Sequence, residues 1–250
     1  MINELLDFYF NYCPVFSERF EKHGAKFLFS RFVKDHYSNI AIVNENSNLT
    51  EILNEFKSRD LEPSFYSFSK PNKETEILYT DDFLYYENIT KLYNKFKRFK
   101  SSEVSLIEVT TPSLEQTYIK INDDCYGAVS YDNPYSNLDN AGYSKSVFDF
   151  KKHETNSKTI PYIIRLKNKD VGCIILSIHK NMCYVSGLAI LKEFRKTKVF
   201  TVMINILEIL ISENVNTIFC VTELGEYPEK LYKKIVFTPA ATAYGFKPNF

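Results

Sequence analysis

The sequence predicts an α/β protein built around a mixed sheet. Met182–Leu191 is an apolar, β-branched run with no polar face, as expected of a strand inside a sheet. Thr197–Ser212 has the spacing of a helix, and Thr217–Thr222 is a second apolar run. A strand, a crossover helix and a strand form a βαβ unit, so the two strands should be parallel with a right-handed crossover.

The predicted crossover helix has one polar stripe. Across Thr197–Ser212 the polar residues fall at positions 197, 201, 205, 208 and 212, and nearly all others are Val, Phe, Met, Ile or Leu. At about 3.6 residues per turn, these positions line one side of the helix. We therefore expect a narrow stripe in contact with water and burial of the rest of the helix.

The composition fits a globular protein with a large core. A chain of 250 residues allows one large or two small domains, and 44% of the residues are hydrophobic. The 31 basic and 31 acidic residues cancel, so net charge indicates neither a nucleic-acid nor a membrane partner. The five scattered cysteines form no C-x-x-C pair, and we expect a reducing, cytoplasmic compartment.

No membrane or metal-binding segment is predicted. The first seven residues carry acids where a secretion signal would carry lysines. The longest near-apolar stretch, Val199–Ile211, is shorter than the roughly 20 residues that cross a bilayer. The four histidines are scattered and form no cluster with the cysteines, so no zinc site is expected.

Residues 1–102 are predicted to form a smaller α/β domain. Residues 1–23 have aromatic and leucine side chains on loosely helical spacing, interrupted by Pro14. Asn48–Arg59 is a predicted helix, with Asn48 as its N-cap. The strand candidates around it are Phe27–Arg31, Asn39–Val43 and Ser64–Ser69.

A helix with one basic face precedes the second domain, residues 103–250. Ile89–Phe99 has an apolar face opposite a face with Lys91, Lys95 and Arg98. The basic face is either an anion-binding surface or, more commonly for such charge runs, the solvated side of a docked helix. The predicted strand Glu103–Val109 opens the second domain.

The second domain continues with two helices, a loop and a meander. We predict a helix capped by Ser113 that runs to Asn122, a tyrosine-rich loop at Tyr126–Tyr143 and a helix at Ser144–His153. Three apolar runs separated by tight polar turns then predict antiparallel strands. They are Pro161–Leu166, Val171–His179 and Met182–Leu191.

Three stretches together resemble the GNAT superfamily of N-acetyltransferases. They are Leu188–Arg195, which ends a strand; Arg195–Phe200, which opens the crossover helix; and Leu231–Phe237, which holds a Leu-Tyr pair. The resemblance covers roughly residues 162–250. It implies a GNAT-type mixed sheet with splayed parallel strands in residues 103–250, and it allows residues 1–102 to be a degenerate second copy.

The resemblance also implies a site for acetyl-CoA, a co-substrate. The family holds the pyrophosphate on N–H groups that open the crossover helix, and it pairs pantetheine with strand backbone. The matching positions are Leu188, Ile190, Arg195, Lys196, Thr197, Lys198, Val199, Phe200 and Thr201. The two family glycines fall on Lys198 and Phe200. Either the positive charge of the lysines replaces the phosphate contacts that the backbone loses when side chains crowd it, or the site no longer binds CoA.

Two catalytic residues are expected. Tyr232 matches the family tyrosine that protonates the departing sulfur, and its alternative is a tyrosine packed between helix and sheet. Glu223 follows a predicted strand at the end where α/β sites gather, so it is either a base for the amine or an idle, solvated carboxylate. Gly225 replaces a family asparagine, which removes one cofactor contact.

The function expected from the resemblance is an acyl-CoA-dependent N-acyltransferase. It would move an acetyl group from acetyl-CoA to a small-molecule or peptide amine, or to a protein amino group. The other hypothesis is a catalytically inactive GNAT-like module that binds a ligand or a partner protein. No nucleic-acid or membrane partner is expected, and the sequence leaves a homodimer open.

Overall fold

The structure is a computed structural model that describes residues 1–72, 75–126, 139–195 and 199–247. The helices are α1 (Ile2–Tyr12), α2 (Leu49–Ser58), α3 (Ile89–Phe96), α4 (Pro112–Tyr126), α5 (Asn140–His153), α6 (Val199–Ser212) and α7 (Tyr227–Ile235). The strands are β1 (Glu18–Lys22), β2 (Ala25–Phe29), β3 (Asn39–Ile42), β4 (Phe65–Ser67), β5 (Glu76–Glu87), β6 (Val104–Glu108), β7 (Lys158–Leu166), β8 (Lys169–His179), β9 (Met182–Ile190), β10 (Thr217–Glu223) and β11 (Thr238–Lys247). Within these ranges no helix is long and apolar enough to span a membrane.

The chain divides into two compact units, each assembled from separate stretches of sequence. Unit 1 comprises Met1–Tyr85, Lys145–Phe150 and Cys220–Phe250. Unit 2 comprises Tyr86–Ser144 and Lys151–Phe219. Strand β10 contributes its first three residues to unit 2 and the others to unit 1. The division into residues 1–102 and 103–250 remains a prediction.

Unit 2 has the predicted meander followed by a parallel strand. Its sheet has the order β6-β7-β8-β9-β10, with antiparallel pairing up to β9 and parallel pairing between β9 and β10. Helix α6 makes the crossover between the two parallel strands. The middle strand, β8, is buried from Val171 to Ile178, which explains why Ser177 is the one polar residue in that run. The predicted α/β class with a mixed sheet is confirmed.

Unit 1 repeats this order on a smaller scale. Strands β1, β2 and β3 form an antiparallel meander, and α2 connects β3 to the parallel strand β4. Strand β11 then pairs antiparallel with both β4 and β5, and the end of β10 lies beyond β5. The phenylalanines of β2 and α2 form the core beneath this meander. Asn48 caps α2, as predicted, by accepting the Glu51 N–H at 3.3 Å.

Four sequence-based assignments were wrong in position. The helical start ends at Tyr12, because Cys13 precedes Pro14 and takes an extended conformation. Phe20 lies on β1. The cap of α4 is Thr111 rather than Ser113, since its Oγ1 accepts the Leu114 N–H at 3.3 Å. Helix α4 runs on to Tyr126, and α5 begins at Asn140, inside the predicted loop. Residues 127–138 of that loop lie outside the described residues.

The middle of the polar stripe of α6, from Thr201 to Glu208, faces protein instead of water, whereas Ser212 is exposed as predicted. Thr201 is 4% exposed, and its hydroxyl donates to the Phe99 carbonyl at 2.9 Å. Asn205 Nδ2 donates to the Val104 carbonyl at 2.9 Å. Glu208 accepts hydrogen bonds from the Tyr93 hydroxyl at 2.9 Å and from Lys100 Nζ at 2.6 Å. Helix α3 and the 3₁₀ turn that follows it therefore dock through polar contacts along this stripe.

The basic face of α3 points away from that contact. Lys91, Lys95 and Arg98 are exposed, whereas Leu92 and Phe96 are buried. This is the arrangement of a docked helix with a solvated charged side.

Candidate functional site

The pairing between β9 and β10 stops part-way along β9. Three residue pairs are made, Thr217 with Met182, Ile218 with Cys183 and Phe219 with Tyr184. Strand β9 continues to Ile190, and no further pair with β10 occurs among the described residues. The two parallel strands are therefore not hydrogen-bonded along their full length. From residue 185 onward, the edge of β9 that faces away from β8 has no partner in β10.

A β-bulge shapes this stretch of β9. The pairing with β8 passes from Ile175–Ser186 to Cys173–Ala189, so Gly187 and Leu188 stand opposite one residue of β8. Gly187 has a φ of 58°, and a Cβ there would lie 2.9 Å from Ile175 Cδ1. The backbone angle therefore favours glycine at this position, and a larger residue would also have to shift the end of the Ile175 side chain.

The bulge is followed by two carbonyl groups directed away from β8. The Leu188 carbonyl accepts the Tyr126 hydroxyl at 3.1 Å, and the Ile190 carbonyl accepts Arg195 Nε at 2.9 Å. The next residue, Leu191, instead donates its N–H to the β8 side, to the Val171 carbonyl at 2.9 Å. Leu188 and Ile190, the positions predicted to pair with pantetheine, thus present backbone acceptors along the open edge. Side chains of the protein itself occupy both acceptors.

Arg195 connects the end of β9 to the end of α4. Besides its bond to Ile190, its Nη2 donates to the Cys125 carbonyl at 3.4 Å, in the last turn of α4. A cation at that place stabilises the negative end of the helix dipole. The arginine therefore has a structural role, and its predicted contact with a phosphate remains a prediction.

The loop that would hold the phosphates is only partly described. Lys196, Thr197 and Lys198 lie outside the described residues, as do the side chains of Val199 and Phe200, although both belong to α6. The Thr201 hydroxyl is bonded to Phe99, so this residue has only its backbone N–H to offer a ligand. The first N–H groups of α6 lack helical partners, as at any helix start.

In unit 1, Tyr232 lies on a helix held by buried charges. Lys233 Nζ contacts Asp82 Oδ2 at 3.1 Å and also the carboxylate of Glu229. Thr242 Oγ1 donates to the other oxygen of Asp82 at 2.7 Å. These contacts fix α7 against β5 and β11. Tyr232 itself is 5% exposed, with its ring 5.1 Å from that of Phe237.

Glu223 lies at the end of β10 beside a second carboxylate that the sequence analysis missed. The Leu224 N–H donates to the Thr80 carbonyl at 2.8 Å, which places Glu223 next to Asp81 on the neighbouring strand β5. Asp81 was missed because Thr80-Asp81-Asp82 interrupts the apolar run that would have predicted β5. The run Tyr79–Leu84 carries only a weak alternation of polar and aromatic residues.

The surroundings of Asp81 favour its neutral form. Its Oδ2 accepts the Tyr66 hydroxyl at 2.9 Å. Burial raises the pKa of Asp81 to about 7; the charges of Glu223 and Asp82 add to the rise, and the Tyr66 hydrogen bond opposes it. The pKa of Tyr37 is likewise raised to about 12, first by burial and then by Glu223 and Asp81.

Comparison with known proteins identifies the fold. No family model matches the sequence, and no curated protein is similar to it in sequence. Among solved structures, a GCN5-related N-acetyltransferase from Kribbella flavida matches with a TM-score of 0.58 and 12% identity, over 93% of this chain and 90% of that one. The fold is that of the GNAT N-acetyltransferases. At this identity the match establishes the GNAT fold alone.

Two other solved structures match most of the chain. A conserved protein of unknown function from Staphylococcus epidermidis ATCC 12228 has a TM-score of 0.70 and 12% identity, over 98% of both chains. A tandem GNAT protein from the clavulanic acid biosynthesis pathway has a TM-score of 0.56 and 8% identity, over 90% of this chain and 79% of that one. The match to a tandem protein agrees with two units that each contain a meander and a parallel crossover.

Proposed function

We propose that the protein is an acyl-CoA-dependent N-acyltransferase that transfers an acetyl group from acetyl-CoA to an amine. The main support is the unpaired edge of β9, where the carbonyls of Leu188 and Ile190 point away from β8 just before α6 begins. Amide groups of a ligand can hydrogen-bond to such an edge as an added strand does. The GNAT fold supports the same donor class by analogy.

The binding residues follow from this placement. The backbone of Leu188 and Ile190 would hold the pantetheine amides, and the segment from Arg195 to Thr201 would hold the pyrophosphate at the start of α6. Lys196 and Lys198 supply positive charge in the loop where the family uses backbone N–H groups left accessible by glycines. Bound acetyl-CoA would supply the activated acyl thioester.

The proton transfers are assigned to two residues of unit 1. Glu223 accepts a proton from the acceptor amine, which makes its nitrogen nucleophilic. Tyr232 donates its phenolic proton to the sulfur that leaves when the carbon–sulfur bond breaks. All five cysteines are buried free thiols, which supports the proposal of a reducing, cytoplasmic compartment.

One observation favours a second candidate, a GNAT-like binding module without activity. The Tyr126 hydroxyl and Arg195 Nε already occupy the two carbonyls that pantetheine would need. A ligand that pairs with this edge must share these carbonyls with the two side chains or displace them. If it does neither, the protein keeps the GNAT fold without binding CoA.

A thermal-shift titration with acetyl-CoA and CoA separates the two candidates. At about 100 times its dissociation constant, a ligand stabilises the folded state by roughly 2.7 kcal/mol, which gives a clear rise in melting temperature. Reversing two charges, with Lys196→Glu and Lys198→Glu, should remove most of the shift. The matched control is Lys91→Glu with Lys95→Glu on the exposed face of α3. No shift at millimolar CoA would exclude the enzyme and leave the binding module.

A further inference from the structure

The exposed side of α3 and of the 3₁₀ turn Lys97–Phe99 is strongly basic. No acidic residue occurs between Glu87 and Glu103, whereas five of the residues from 91 to 100 are basic. The chain as a whole is neutral, so its net charge predicts no nucleic-acid partner and does not reveal this local excess. A stripe of basic residues along one helix is typical of a surface that binds a polyanion. The five residues are Lys91, Lys95, Lys97, Arg98 and Lys100.

Only Lys100 among these five contributes an ion pair to the described part of the fold. Its Nζ lies 2.6 Å from Glu208 Oε1 of α6. The other four side chains are exposed, and none of them is paired with an acid among the described residues. Lys91 lies in the first turn of α3, which has no acidic residue and where the helix dipole disfavours a positive charge. The stability of the helix therefore does not account for a lysine at this position.

The four exposed cations lie on one surface. Lys91, Lys95 and Arg98 are spaced four and then three residues apart, which places them in a row about 10 Å long on one side of the segment. Lys97 adds a fourth charge next to Arg98 at the end of the row. The opposite, apolar side of α3 is buried. Regularly spaced charges on an exposed helix are suited to an extended ligand that carries negative charges at regular intervals.

An exposed aromatic ring lies at the end of this row. Phe99 is 40% exposed, and its carbonyl accepts the Thr201 hydroxyl, which fixes the backbone of the turn. The Arg98 guanidinium lies over the Phe99 ring, 4.9 Å from its centroid. Aromatic rings and guanidinium planes are the groups on which unpaired bases stack.

The same surface is poorly suited to a lipid bilayer. Binding to a membrane grows with the apolar area that enters it, and the apolar side of α3 is already buried in the protein. Between residues 88 and 102, Phe99 is the one large hydrophobic residue that is exposed. The combination of cations and a single ring therefore favours a nucleic-acid strand over a membrane.

We propose that Lys91, Lys95, Lys97, Arg98 and Phe99 bind a single-stranded nucleic acid, either RNA or DNA. The four cations contact phosphates of the strand, and one unpaired base stacks on the Phe99 ring. Phosphate contacts and stacking depend little on base identity, so the binding has little sequence preference. This surface belongs to α3 and the turn after it, and the inference is independent of the proposed acyl transfer.

The test uses the full chain and two fluorescein-labelled probes, oligouridylate and oligothymidylate of equal length. Fluorescence anisotropy gives the association constant at sodium chloride concentrations from about 50 to 200 mM. Four phosphate contacts with a single strand predict a slope of about −2.8 for the logarithm of that constant against the logarithm of salt concentration. Tighter binding of one probe identifies the kind of strand, and equal binding means that the sugar is not recognised.

Two variants separate the charges from the ring. Lys91→Gln with Lys95→Gln should halve the slope, to about −1.4, because two of four phosphate contacts are lost. Phe99→Leu should weaken binding about fivefold or more at every salt concentration and leave the slope unchanged, because it removes only the stacking. The matched control is Lys230→Gln with Lys234→Gln, which removes two exposed lysines at the same spacing from α7 and should change neither value.

Two further measurements keep the test decisive. Melting temperatures equal to that of the unaltered protein show that each variant keeps its fold. Co-sedimentation with phosphatidylglycerol vesicles tests the membrane, and binding to vesicles without binding to either probe would overturn the proposal. It would also be overturned if neither probe bound saturably at the lowest salt concentration, or if the slope were the same for Lys91→Gln with Lys95→Gln as for the unaltered protein.

Discussion

Tyr232 is held in place by the residues beside it. Lys233 binds α7 to Asp82 of β5 and also pairs with Glu229 of its own helix, and the Phe237 ring packs against the tyrosine ring. A side chain so fixed loses little entropy when it enters a reaction, which suits a proton donor. The same contacts suit a core tyrosine, so only a change confined to the hydroxyl separates the two roles.

Tyr232→Phe should lower the rate of acetyl transfer at saturating substrate by about 10²-fold or more, the usual contribution of a general acid. The affinity for CoA should stay within about twofold, because the ring and its packing are kept. Initial rates and thermal-shift titrations on the same preparation give the two values. Tyr227→Phe is the control, since Tyr227 lies on the same helix and is 65% exposed. Turnover equal to that of the control would remove Tyr232 from the mechanism.

Asp81 should make the protein less stable as the pH rises. Its pKa is about 7 in the folded state and near 3.9 in an unfolded chain, so the folded state binds more protons between these values. The free energy of unfolding therefore falls as the pH increases from about 4 to 7 and levels off above that. Asp81→Asn removes this slope. Urea denaturation at a series of pH values measures it, and parallel curves for the variant and the unaltered protein would contradict the assignment.

Among the elements, α6 shows how a helix with few polar residues uses them for docking. Each hydroxyl or amide of its stripe that meets α3, the 3₁₀ turn or β6 satisfies a backbone carbonyl there. The sequence periodicity predicts which residues form the stripe, but it does not predict whether the stripe faces water or protein. A polar stripe that contacts water and one that contacts another element have the same spacing, and only the partner's position distinguishes them.

Thr201→Val should destabilise the protein by about 1–3 kcal/mol. The substitution keeps the shape of the side chain and leaves the Phe99 carbonyl without the donor that Thr201 supplies. Urea unfolding monitored by circular dichroism measures the change. Ser212→Ala serves as the control, because the Ser212 hydroxyl is exposed and bonds only to Ile209 in its own helix. A loss no larger than that of the control would show that water replaces the threonine.

Strong periodic elements were predictable, and those set by distant contacts were not. The meander of β7, β8 and β9 and the crossover through α6 follow from local pattern alone. Strand β5 was missed because Asp81 and Asp82 interrupt it, and each is explained only by residues far along the chain, such as Lys233. For the same reason Glu223 and Tyr232 could be named as candidate residues from sequence, whereas Asp81 could not.

At the scale of the whole molecule, the GNAT-like order of strands in unit 1 depends on both ends of the chain. Strand β11 lies between β4 and β5, both of which precede residue 103. Strand β5, from the N-terminal part of the chain, therefore lies between β11 and β10. Unit 1 thus resembles a single GNAT domain in the spatial arrangement of its strands, but the strands do not follow one another in the same order along the chain.

A fragment of residues 103–250 should fail to fold as a soluble monomer. Without β4 and β5, both edges of β11 lose their partners, and long unpaired edges associate with other chains. Size-exclusion chromatography and circular dichroism of the fragment provide the measurement. Co-expression with residues 1–102 as a separate chain should restore solubility. A fragment that elutes as a folded monomer would show that the pairing of β11 with β4 and β5 is dispensable.

The position of β11 in the chain also determines when the sheet of unit 1 can be completed during synthesis. Strand β11 is the last of the described strands to be synthesised. The edges of β4 and β5 that face it therefore remain unpaired until β11 leaves the ribosome. Unit 2 has all its strands earlier and can settle during translation. In nascent chains stalled before residue 238, the N-terminal segments should therefore be sensitive to protease. Once β11 has been synthesised, the same segments should become protease-resistant.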